Sequence, residues 1–137
     1  MDRHIIDGAI AASIETAMGR DMQWGVDDCS LWPCNTIART GHADFAAPLR
    51  GYHCRFGAAR ALKKFAGAGL IEAALKLAAQ HGLAQACRPF RGDLIGIVMS
   101  PQRPSLALFW RGKWVARSQT GITYLPAVSG VIAWRWL

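Results

Sequence analysis

The sequence predicts an α+β protein in which N-terminal helices are followed by an antiparallel sheet of about five strands. Apolar residues recur at helical spacing only before Gly82. After Pro89 the chain changes to short β-branched and aromatic runs separated by turn formers. Helices first and strands afterwards disfavour a wound parallel sheet, in which the two types of element alternate.

Ile5, Ile6, Ala9, Ile10, Ile14 and Met18 place one apolar face on a first helix that ends at Gly19, a residue suited to a left-handed C-cap. A polar loop, Arg20 to Asp28, leads into a second, shorter helix ending near Arg39-Thr40-Gly41. Gly41 to Tyr52 lacks periodicity and reads as a loop. Phe56 to Phe65 returns to helical spacing until Gly67 and Gly69, and Leu70 to His81 forms a fourth helical face closed by Gly82. The expected strands are Leu94 to Met99, Leu106 to Trp110, Lys113 to Arg117, Ile122 to Leu125 and Val131 to Trp136, with Arg111-Gly112 as a tight hairpin turn. The chain thus reads as one domain over 1–137, helical over 1–88 and strand-rich over 89–137.

With 137 residues, 52% hydrophobic and 18% charged, the chain has enough apolar content for one core and too much for a disordered segment. The net charge of +7 favours anionic partners, but the cations are scattered, with no run longer than Lys63-Lys64, so no nucleic-acid partner is expected. Asp2, Arg3, His4, Asp7 and Glu15 interrupt any secretory signal, and no stretch approaches the roughly 18 to 20 apolar residues of a membrane span. Synthesis in the cytoplasm without export is the expectation. Cys29, Cys34, Cys54 and Cys87 are then expected to be free thiols.

The informative segment is Trp24-Gly25-Val26-Asp27-Asp28-Cys29-Ser30, which puts a cysteine after two carboxylates where a loop enters a helix. A thiol at a helix start faces unpaired N–H groups and the positive end of the dipole, which lower its pKa; the bland alternative is a buried structural cysteine. With Gly92-Asp93-Leu94 opening the first strand, this pattern resembles the NlpC-type papain-like cysteine peptidases, which cleave bacterial cell-wall peptides. It is closer to a related phage and prophage tail-associated family of unknown function that combines Trp-Gly-x-x-Asp-Cys, a Gly-Asp strand start and a C-terminal Ala-Trp-Arg, here Ala133-Trp134-Arg135. The resemblance spans nearly the whole chain. It implies a papain-like fold, Cys29 in the nucleophile position, and Trp24, Gly25, Asp28, Ser30, Gly92 and Asp93 as motif residues.

The same resemblance implies a histidine at the start of the second strand, since the thiol needs a base and the leaving amine an acid. Ser105 stands there instead. The third polar position, which would orient the histidine, falls near Arg117, with Gln119 the nearest amide. The four histidines, His4, His42, His53 and His81, all precede Cys87. Pro33 cannot donate to the Cys29 carbonyl, so the helix should begin later, with Ser30 as N-cap and Pro33 in the first turn. Cys29, Cys34, His53 and Cys54 do not match a zinc spacing, because adjacent His53 and Cys54 diverge on extended chain; neither a metal nor a cofactor is expected.

The late aromatics, Phe90, Phe109, Trp110, Trp114, Tyr124, Trp134 and Trp136, cannot all face one side of a sheet; core packing is the expected role of each, and an exposed tryptophan near Arg111, Arg117 or Arg135 as part of a protein interface is the alternative. Two functional expectations follow. The first is a degenerate papain-like component of a tailed phage or prophage particle, at the tail tip or baseplate, bound to tail hub or distal-tail proteins. The second is an active cysteine peptidase or amidase on peptidoglycan with Cys29 as nucleophile. The missing base favours the first.

Overall fold

The structure is a computed structural model that describes residues 2–86, 94–99 and 103–137. Four helices precede five strands: α1 (Arg3–Ala17), α2 (Leu31–Arg39), α3 (Arg55–Ala66), α4 (Leu70–Gln80), β1 (Leu94–Met99), β2 (Pro104–Trp110), β3 (Lys113–Arg117), β4 (Ile122–Pro126) and β5 (Gly130–Arg135). The Asp2 carboxylate accepts from the His4 N–H at 2.8 Å and caps α1, and Ile6, Ile10 and Ile14 form its buried stripe. Gly67, at φ 81°, ends α3 in the left-handed conformation that favours glycine. The segment expected to be a loop from Gly41 to Tyr52 contains one 3-10 turn, Ala47–Leu49.

All pairings are antiparallel, in the order β4-β3-β2-β1-β5, so the C-terminal strand crosses over to lie beside β1. Arg111 and Gly112 both have positive φ, at 51° and 81°, the geometry of a two-residue hairpin turn between β2 and β3. Alternation along the strands gives two buried faces. Ile95, Ile97, Leu106, Leu108, Val115 and Trp134 pack under α1, α2 and α4. Leu94, Val98, Ala107, Phe109, Trp114, Ala116 and Ala133 form the second, outer cluster.

That outer cluster bears out core packing rather than the alternative of an exposed tryptophan on the sheet. Trp114 is 1% exposed and lies across Gly96 and Gly130, where an added Cβ would come within 2.7 Å of its ring. Its Nε1 donates to the Ala127 carbonyl at 3.1 Å. Small residues on the sheet surface make a bed for one large indole, so both faces bury aromatics. Trp134 and Trp136 join the inner cluster, and half-buried Trp110 donates to Asp7 Oδ1 at 3.2 Å. Among the late aromatics only Tyr124 is exposed within the described residues. Cys87, Phe90, Gly92, Asp93 and the Pro89 switch lie outside the described residues. Among the described residues, no helix is long and apolar enough to cross a membrane.

Candidate functional site

The loop that delivers Cys29 is organised by a buried carboxylate. Asp28 has no exposed surface, and its Oδ1 accepts from the N–H groups of Ser30 and Leu31 at 3.0 and 3.2 Å. Its Oδ2 accepts from the Gly25 N–H at 2.9 Å and from the Tyr52 hydroxyl at 2.7 Å. Four donors compensate the burial of one charge, which without partners would be prohibitive. Ser30 precedes α2 by position but has helical φ and ψ and makes no side-chain cap; the cap expected of it belongs to Asp28. The Asp28 carbonyl also accepts from Leu31 and Trp32, so a first turn closes one residue before Cys29, while Pro33, which has no N–H, cannot donate to the Cys29 carbonyl.

Gly25 belongs to the same construction. Its φ is 82°, and a Cβ there would overlap the Tyr52 carbonyl oxygen, with the His53 Cα 3.6 Å away. The Trp24-Gly25 loop therefore packs backbone to backbone against Tyr52-His53, and this contact lets the tyrosine hydroxyl reach Asp28. The loop is tied at its other side as well. Asn35 donates to the Val26 carbonyl at 2.8 Å, Arg50 donates to the Asn35 amide oxygen at 2.7 Å, and Arg50 forks onto both oxygens of Asp44. The Arg50 partnership holds the Asp44 carboxyl below its ordinary value.

Arg117, expected near the position of a third catalytic residue, is a structural clamp. It is 3% exposed; Nη1 is shared among the carbonyls of Arg20, Ser118 and Gly121 at 3.0, 3.1 and 2.7 Å, and Nη2 meets Asp27 Oδ2 at 3.2 Å. With Met22 donating to the Gln119 carbonyl at 2.7 Å, it pins the loop before Cys29 to the end of β3. The Arg117 Nε is also buried and makes no hydrogen bond.

Cys29 itself is partly buried, and the lowered pKa expected from its helix-start position is not what its surroundings produce. Burial raises the thiol above its ordinary value near 9.0, and the Asp28 carboxylate raises it further. Hydrogen bonds from the Ser30 hydroxyl and its own backbone, with the Arg103 charge, oppose this without reversing it. The dipole advantage is lost first to burial and second to the adjacent Asp28 anion in the same turn. Arg103, just before β2, does bring the start of that strand into electrostatic reach of Cys29.

Ser105 lies in β2 opposite Val98, is 5% exposed, and directs its hydroxyl to the Leu106 carbonyl at 3.1 Å. No imidazole is among the groups acting on the Cys29 thiol. His42 packs edge-on against Trp136 with centroids 5.2 Å apart, and His81 against Phe45 at 4.7 Å. His53 is exposed beside the loop, and His4 is exposed in α1. Cys34 is wholly buried and Cys54 caps α3 by accepting from the Gly57 N–H at 3.4 Å; with Cys29 both are free thiols. Among the described residues no three His, Cys, Asp or Glu side chains converge on a metal position.

Tyr52 is the member of this site that sequence reasoning missed. It stands 24 residues from Asp28 in a stretch without periodicity, and its phenol is raised far above its ordinary value by burial and by the Asp28 bond. What the fold defines is an α+β chain with a partly buried thiol on a carboxylate-centred loop. The chain belongs to the family described as Domain of unknown function (DUF6950), whose model matches residues 3–136. No curated protein and no solved structure matches it.

Proposed function

We propose that the chain is a catalytically silent component of a tailed phage or prophage particle, with a papain-like fold, acting at the tail tip or baseplate through tail hub or distal-tail proteins. The observation that carries the silent reading is the environment of Cys29. The thiol keeps the helix-start position of a nucleophile, yet burial and Asp28 hold its proton, and no imidazole of the described residues is among the groups that act on it. Loss of a general base removes about 10²- to 10⁴-fold of rate, and the raised pKa subtracts further. The order of Trp24-Gly25, Asp28-Cys29-Ser30, Gly92-Asp93 and Ala133-Trp134-Arg135 supports the particle reading.

Purified murein incubated with wild type and with Cys29→Ser should release no peptide fragments in either case, and the protein should co-purify with assembled particles. Cleavage by wild type that disappears in Cys29→Ser would establish the second reading, an active peptidase. That reading is favoured by the partial exposure of Cys29. Recovery from free cytosol alone, never from particles, would contradict the particle role.

A further inference from the structure

The helix α3 is built unlike the other three. It carries Arg55, Arg60, Lys63 and Lys64, no acidic residue, and no fully buried side chain, and Phe56 in its first turn is 77% exposed. Its packing is limited chiefly to α4 and the Ala47–Leu49 turn. Between these elements lies a cleft of about 590 Å³ whose floor includes Leu49, Ala61 and Phe65. Arg50, Arg60, Lys64 and Lys76 line it, and no carboxylate does.

Two of these cations are already engaged. Arg50 is forked onto Asp44, while the Lys76 ammonium donates to the Phe65 carbonyl at 2.6 Å and lies 4.5 Å over the Phe65 ring. Arg60 and Lys64 have no ion-pair partner among the described residues. They are one helical turn apart on the same side of α3, and Phe56 is one turn before Arg60, so the three form a single stripe.

We infer that this cleft and the Phe56–Arg60–Lys64 stripe are a docking surface for an acidic, leucine- or phenylalanine-bearing polypeptide segment of a partner protein. Carboxylates would meet Arg60 and Lys64, and an apolar side chain would cover Phe56, the mix of a cationic rim and an exposed aromatic that protein interfaces use. The volume suits a few side chains of such a segment. A nucleic acid fits less well: the cations surround one concavity rather than follow a track, and within the cleft the Phe65 face is occupied by Lys76. The inference is independent of the particle reading, since it concerns a face whose chemistry is the same whatever assembly the chain joins.

The test is fluorescence anisotropy on the full chain with a labelled glutamate-rich peptide containing interspersed leucines, against a labelled single-stranded oligonucleotide. The peptide should bind more tightly, and Arg60→Glu with Lys64→Glu should weaken it by about tenfold or more. Lys113→Glu with Arg135→Glu, an equal charge change on exposed residues elsewhere, should leave peptide affinity within about twofold. Both pairs sit on exposed positions, so circular dichroism should report unchanged folding. Absence of peptide binding, equal loss in both double variants, or tighter binding of the oligonucleotide would overturn the inference.

Discussion

Gly25→Ala is the most demanding perturbation of the loop that carries Cys29. Alanine at φ 82° costs about 1–2 kcal/mol for the left-handed conformation alone. Its Cβ would also overlap the Tyr52 carbonyl oxygen, a backbone atom that cannot rotate aside. The Tyr52 segment must then retreat, and the 2.7 Å bond from its hydroxyl to Asp28 is lost, leaving a buried carboxylate oxygen short of a donor. That adds about 1–3 kcal/mol. The sum, about 2–5 kcal/mol, is a large part of the total stability of a domain this size and corresponds to a fall in Tm of roughly 6–20 °C. The natural comparison is Gly8→Ala, in the interior of α1 with nothing within 4 Å of the added methyl, which should stabilise by about 0.5–1 kcal/mol. Urea denaturation followed by circular dichroism reads both. A Gly25→Ala protein within about 0.5 kcal/mol of wild type would refute the close-packed loop.

The remaining predictions concern the clamps and the thiols. Tyr52→Phe, which removes only the hydroxyl, should cost about 1–3 kcal/mol in the same urea titration, less than Gly25→Ala. Arg117→Met should cost about 3–5 kcal/mol, because it leaves Asp27 and three carbonyls without their cation, and Arg117→Lys should recover little of this in thermal melts, since one ammonium cannot reproduce the fork. Burial pushes the Cys34 thiol up to about 12 from its ordinary value of 9.0, so the folded state keeps a proton that the unfolded state releases. Its contribution to stability should be complete below about pH 9 and decline as the pH rises toward 12; Cys34→Ala should flatten that part of a stability-versus-pH curve.

Much of the architecture was legible because it follows from periodicity. The Ile6, Ile10, Ile14 stripe and the apolar run of β2 are local patterns that secondary structure reads directly, and Arg111-Gly112 stood between two strand signals. The burial of Trp114 was not legible, because it depends on Gly96 and Gly130 lying beneath it on other strands. The site divides in the same way. Cys29 and Asp28 are visible as a motif, but the sign of the thiol's shift depends on the depth of the turn and on the distance to the anion, which a sequence does not contain. Tyr52 and Arg117 reach the loop from 24 and 90 residues away, and nothing in their local sequence announces the partner.

The central claim is that Cys29 is a protonated thiol on a rigid loop and not an activated nucleophile. The most direct measurement is the pH dependence of iodoacetamide labelling at Cys29 in the native protein, resolved from the other cysteines by peptide mass mapping. Because burial and Asp28 both raise its pKa, labelling should be slow at neutral pH and still increasing above the ordinary thiol value near 9.0. A rate that levels off at about pH 7 or below, as a base-paired thiolate gives, would contradict the account.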